Sequence, residues 1–289
     1  MENLKGILLT HDHDMLYKSM GSLFSIEPIY IRHYITSNCM KIVRCNEDEI
    51  NLQHFFFFVH KFTDKEIDLD MNMKGITLSH LTTRLNRDEI SKVPLHNLFD
   101  ALTMDTCLSK FFYERGFSFR KEKSKLKVIY GGKIIDWSHF FETFNSGAAR
   151  MVSNRLEGNS KGVTDKCVNG FLFGGEIHKH GDVRHIRRCP EILDNMLNVL
   201  KRTDLIEEWI EKSAPYIISF KAKIEDIIID HDVYYKFNNK QKRFYILKAC
   251  LLYLAKSFLE QWDAYDNHII RLKDDLNVSA TDIFDVKKI

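Results

Sequence analysis

The stretch NLQHFFFFVHKF, residues 51–62, sets four phenylalanines side by side, Phe55 to Phe58, and follows them with Val59 and Phe62. A strand with one solvated face alternates apolar and polar residues, so an unbroken apolar run implies a strand covered on both faces or a segment of a buried helix. The shortness of the run and its polar flanks favour the strand. Residues 53–60 are therefore expected to form the central strand of the core.

Working outward, IYIRHYIT (29–36), GITLS (75–79) and GFLFGGEI (170–177) are further strand candidates. In LKVIYGGKIIDW, residues 126–137, two β-branched runs meet at Gly131-Gly132, and two glycines tolerate the positive φ angles of a type I′ turn, which predicts a β-hairpin. Helices are expected at 94–113, 137–157, 190–212 and 241–262; the third is signalled by Pro190 at its start and by Ile192, Met196, Val199 and Leu200 at helical spacing. Strands and helices without regular βαβ alternation predict an α+β chain, mostly helical after Pro190. With only four prolines and no Gly/Ser-rich linker, no sharp domain boundary is visible.

A chain of 289 residues can bury one large core, or one domain with a small appendage. Its formal net charge of +2 carries no general polyanion signal, which argues against nucleic acid as a partner. Six cysteines scattered without a CxxC pair read as reduced thiols of a cytosol-like compartment. No run approaches the roughly 18 apolar residues that span a bilayer, and a charged, His-rich segment follows the N-terminus too early for a Sec signal peptide.

Two motifs nearly fit metal sites. ILLTHDHDML, residues 7–16, resembles the THxHxDH signature of metallo-β-lactamase-type hydrolases, but Asp14 follows His13 directly and Met15 and Leu16 occupy the DH positions. A solvated N-terminal turn is the simpler reading. EIHKHGDVRH gathers Glu176, His178, His180 and His185 without a downstream pair to complete a tetrahedral set. No metal is expected.

The order of segments carries more. IYIRHYITSN and CNEDEI precede the aromatic run; KGITLSHLTTRL, GFLFGGEIHKHGDVRHIRR and YIISFKAKIEDIII follow it. This order resembles the ADP-ribosyltransferase-like fold of bacterial type III secretion effectors, particularly the ADP-riboxanase family, which modifies host arginines using NAD. The likeness spans residues 29–230. It implies an ADP-ribosyltransferase-like domain of mixed and antiparallel sheets with helices there, an N-terminal segment 1–28 and a helical C-terminal segment 231–289. It also implies NAD as substrate, a host protein as acceptor, and a virulence effector delivered by a non-Sec route into the host cytoplasm. A protein outside that lineage would be cytoplasmic.

Matched position by position, Arg32 and His33 fall on the early strand and Phe55 and Phe57 on the aromatic strand, and the resemblance sets these four and His80 at the NAD cleft. His80 stands where the family usually has an aspartate, and Lys61 where it has an acid. The essential glutamate falls on Glu225, with Glu176 in reserve. Cleaving the nicotinamide bond builds positive charge on the ribose, which a preorganised carboxylate stabilises. An arginine can clamp the pyrophosphate and an aromatic ring can stack on the nicotinamide. Each residue also has a plainer role: Glu225 as a solvated acid, Arg32 in a surface ion pair. The departures at Lys61 and His80 leave a rival reading, a catalytically inactive binding module that engages a host protein.

Residues 240–262 repeat apolar side chains at Phe244, Leu247, Leu251, Leu254 and Phe258 among Lys240, Lys242, Arg243, Lys248 and Lys256. A basic amphipathic helix of this kind can bind calmodulin, the activator that the resemblance implies, or can simply pack its stripe on the core.

Overall fold

The structure of the protein, a computed structural model, describes residues 5–85, 90–158, 162–175, 177–181, 183–229 and 236–289. The chain begins with β1 (Ile7–Leu8), α1 (His13–Phe24), α2 (Pro28–Val43), α3 (Leu52–Val59), α4 (Leu69–Asn72) and β2 (Gly75–Leu85). Next come α5 (Leu98–Thr103), α6 (Cys107–Tyr113), β3 (Phe117–Glu122), β4 (Lys125–Tyr130), β5 (Lys133–Ile134), α7 (Trp137–Phe144) and α8 (Gly147–Leu156). The remainder contains β6 (Asn169–Phe171), α9 (Glu191–Val199), α10 (Thr203–Lys212), β7 (Ser213–Lys223) and β8 (Ile227–Ile229). It ends with α11 (Asn239–Phe258), β9 (Ile269–Leu272) and β10 (Ile283–Lys288). The chain is thus of the mixed α+β class, and no helix among the described residues is long and apolar enough to cross a membrane.

Two compact units divide the chain. One comprises Met1–His80, Asn169–His180 and Ser219–Arg271; the other comprises Leu81–Val168, Gly181–Ile218 and Leu272–Ile289. Strands β2 and β7 contribute residues to each.

In the first unit, β1 runs parallel to β2 (Ile7↔Gly75, Leu8↔Ile76), β6 pairs antiparallel with β2 (Ser79↔Phe171), and β9 pairs antiparallel with β6 (Gly170↔Ile270). The HDHD run is a helix start: Asp12 Oδ1 accepts from the Met15 amide at 2.9 Å and Asp14 lies in the first turn of α1, near the positive end of the helix dipole. Two expected strands are helices instead. Residues 29–36 lie within α2, opened by Pro28 in its first turn, with Ile31, Tyr34, Ile35, Cys39 and Ile42 buried at three- and four-residue steps. Residues 53–60 form α3 and its C-cap, started by Asn51, whose side chain accepts from the His54 amide; Leu52, Phe55 and Val59 make its buried face. The strand expected at 170–177 is confined to β6, and residues 177–179 form a 3-10 turn. Glu225 lies in a 3-10 turn at Ile224–Asp226. Helix α11 packs against α2 and α4.

In the second unit the hairpin forms as expected: Gly131 and Gly132 have φ of +57° and +77°, and Ile129 pairs with Ile134 across them. Strand β3 adds to it antiparallel, Phe117 opposite Tyr130. Three helices expected as continuous are each broken in two. Thr106 caps α6, its hydroxyl accepting from the Ser109 amide; Asn145 takes φ of +49° and Ser146 caps α8; Lys201 takes φ of +56° between α9 and α10. Side-chain caps compete with helix propagation at Thr106 and Ser146, and a left-handed residue ends the helix at Asn145 and Lys201. The core gathers Phe111, Phe112, Phe117, Trp137, Leu193 and Trp209, and the Trp209 indole donates to Thr83 Oγ1 at 3.0 Å.

The first glycine of FLFGGEI, Gly174, has a packing role in the first unit. A Cβ added at Gly174 would enter the carbonyl oxygen of His11 and approach Ser79 Oγ to 2.9 Å, and backbone cannot yield as a flexible side chain can. Gly174→Ala is expected to cost about 1–3 kcal/mol in a urea-unfolding measurement. An unchanged midpoint would show that this turn is not held against His11.

Candidate functional site: an aromatic seam on two helices

A helix turns its side chains by about 100° per residue, so four adjacent phenylalanines cannot share one face. Phe55 is fully buried, its ring 5.2 Å from Phe24 and 4.9 Å from Tyr34 in edge-to-face contacts. Phe56 and Phe58 flank it half-buried, and Phe57, on the far side, is 68% exposed. From Phe58 the contacts continue along the surface: Phe62 lies 5.1 Å away, Tyr30 stacks on Phe62 at 4.0 Å, and exposed His33 faces Phe58 at 6.1 Å. Lys61 sets its ammonium 5.1 Å over the Phe57 ring. The result is an aromatic seam, partly open to water, on α2, α3 and the turn after α3. Exposed aromatic surface of this kind is an energetic liability unless something covers it.

Arg32, His33, Phe55 and Phe57, carried by the resemblance to an NAD cleft, lie on α2 and α3 but in different surroundings: Arg32 turns to α1, His33 faces Phe58, Phe55 is buried, and Phe57 is exposed on the far side of α3. Arg32 and Phe55 are already engaged. The Arg32 guanidinium donates to Asp14 at 2.7 Å and lies 4.0 Å over the Tyr17 ring, and this bond holds the Asp14 carboxyl below its usual range. Phe55 has no exposed surface on which a nicotinamide could stack. His80, on β2, donates from Nδ1 to the Asn169 carbonyl at 2.7 Å. Glu225 is 62% exposed and lies 3.9 Å from Lys223. Glu176 lies outside the described residues. Among the histidines singled out beside it, His180 is buried against the rings of Phe171 and Tyr265.

The segment 240–262 is mostly α11, capped by Asn238, whose side chain accepts from the Gln241 amide while Gln241 accepts from Asn238. Leu247, Leu251 and Leu254 have no exposed surface, whereas Phe258 is 51% exposed. Four of its five cations are internal grips: Lys242 is buried and donates to the Ile227 carbonyl at 2.6 Å, Arg243 bonds the Met73 carbonyl and Asp70, Lys248 bonds the Asp48 carbonyl, and Lys256 pairs with Asp266, whereas Lys240 is exposed over the Phe244 ring. Calmodulin binding through the apolar stripe would require α11 to leave this packing.

One polar constellation was missed from sequence. Tyr245 Oη lies 2.7 Å from His268 Nδ1, and His268 Nε2 lies 3.4 Å from Glu47 Oε2; the other Glu47 oxygen is buried and meets no hydrogen-bond partner among the described residues. Burial, reinforced by Asp48 and opposed by Lys248, pushes the Glu47 carboxyl up to about 7. CNEDEI was legible as acidic, but nothing local marks which acid the fold will bury. Comparison of the chain with protein-family models, curated proteins and solved structures finds no match.

A carboxyl whose folded pKa is raised favours the folded state while it stays protonated, and that advantage is lost as pH climbs from the ordinary carboxylate range through about 7. Glu47→Gln keeps the shape and cannot ionise. Its unfolding free energy is expected to gain on the parent's between about pH 5 and about pH 8, by up to about 1.4 kcal/mol per pH unit. Denaturant melts at both ends of that range check this, and a pH-independent difference would place Glu47 in a solvated setting.

Proposed function

We propose that the protein works as a binding module that engages another protein through the α2–α3 aromatic seam. The observation that carries this is the exposure of Phe57 at 68%, beside a continuous surface path of rings from His33 through Phe58 and Phe62 to Tyr30. Aromatic side chains lose little conformational entropy on contact and supply large apolar area, which is why they dominate protein interfaces. Lys61, exposed beside Phe57, favours a partner surface that sets a carboxylate next to its apolar anchor. A photo-crosslinking residue placed at position 57 is expected to capture a discrete partner in cell extract, and Phe62→Ser to reduce that capture by about ten-fold or more, with circular dichroism showing the variant folded at the assay temperature, since loss of the Tyr30 stack also lowers the melting temperature. Capture that ignores Phe62, or none at all, would overturn the proposal.

A second reading follows the sequence resemblance: transfer of ADP-ribose from NAD to a host protein. Its support is the order of segments, the mixed α+β class and the accessibility of the Glu225 carboxylate on the turn after β7. On this reading, incubation with NAD and host lysate releases nicotinamide and leaves an adduct visible by mass spectrometry. Glu225→Gln is expected to remove that activity by orders of magnitude while leaving the melting temperature unchanged. A fully active variant moves the role to Glu176, and absence of both nicotinamide and adduct rules out the transfer.

A further inference from the structure

A cleft of about 290 Å³ opens in the second unit; it is lined by Arg84 of β2, by His96, and by Asp105, Lys110 and Glu114 around α6. Its size sits near the lower end of the range for small-molecule sites. Formal charges on the lining nearly cancel, so position has to decide the character of the site.

The carboxylates lie outermost. Asp105 is 80% and Glu114 57% exposed, and each already has a cation, Lys110 at 2.8 Å and Arg115 at 3.2 Å. Arg84 is different: its side chain is half-buried, and among the described residues it makes no hydrogen bond or ion pair. A guanidinium offers a planar fork of donors matched to an oxyanion, and its attraction is screened less in a recess than on open surface. His96 is also short of a partner. Its Nδ1 is buried and meets none among the described residues, while burial, opposed by Asp100 and reinforced by Arg84, disfavours the protonated ring. A neutral imidazole can exchange one hydrogen bond with a ligand oxygen without adding a charge. At the rim, the exposed Lys110–Asp105 pair contributes little to stability, so Lys110 can turn toward an anion at small cost.

We propose that this cleft binds the oxyanion group of a small molecule, a carboxylate or a phosphate, with Arg84 as its fork, His96 as a neutral hydrogen-bonding neighbour and Lys110 as a rim cation. The site lies outside the aromatic seam and does not depend on it.

The test titrates the full-length protein, with its histidines selectively labelled, with inorganic phosphate and separately with acetate, following the His96 ring resonances identified by their loss in His96→Asn. A saturable shift of His96 below about 10 mM with either anion is expected, and Arg84→Gln is expected to weaken it about ten-fold or more. Saturation by phosphate alone assigns a phosphorylated ligand, by acetate alone a carboxylate, and by both the shared oxyanion chemistry. No saturable shift with either anion overturns the proposal, as does equal affinity in Arg84→Gln. Should that variant not fold, the titration of the unaltered chain decides by itself.

Discussion

Burial of one helix organises the first unit. Ile246, Leu247, Cys250, Leu251 and Leu254 of α11 have no exposed surface, and the apolar area they remove from water is the main favourable contribution of that segment. Its polar side chains then bind the neighbouring segments: Lys242 reaches the turn that holds Glu225, Arg243 the end of α4, Lys248 the turn before α3, and Tyr245 the imidazole of His268. Buried backbone carbonyls at turns need donors, and a lysine stem can cross an apolar layer to supply one. The basic character of the helix is thus mainly a structural requirement of its surroundings.

The same geometry explains the phenylalanine run. With α2 packed on α11, α3 can offer the core one face only, and Phe55 takes it together with Leu52 and Val59. Phe57 is then forced outward by the turn of the helix. Its exposure is a consequence of placing four large apolar residues in series on a helix, where a strand covered on both faces would have hidden all of them. Phe57 in that position keeps most of its ring in water, which is the observation that the proposed contact with another protein rests on.

Legibility from sequence followed how local each determinant is. Gly131-Gly132 announced its hairpin because positive φ at two successive residues has few solutions. The α+β class and the regions of most helices were visible as periodicity. IYIRHYIT and HFFFFV were misread because β-branched and aromatic residues are enriched in strands and also fill the buried faces of helices. Better local signs were present: Pro28 opening α2, Asn51 capping α3, and buried positions recurring at three and four residues. Thr106, Ser146 and Lys201, which break the long helices, act through side-chain caps and a left-handed turn that compete with continuous periodicity. Glu47 with His268, and Arg84 with His96, could not have been paired in advance, because only the tertiary fold brings them together.

What separates a structural cation from a functional one here is whether the chain itself supplies the acceptor. Arg115 has Glu208 and the Phe111 carbonyl, Arg155 has Glu191, and Arg32 has Asp14. Removing any of these acceptors would leave a charge with lost bonds, so each arginine is explained by the fold that surrounds it. Arg84 is half-buried, the position in which desolvation is costly, yet among the described residues no acceptor answers it. Solvent can hydrate the exposed part of such a guanidinium, and an oxyanion that replaced this water would gain the fork of donors, which is the basis of the proposal that the cleft binds one.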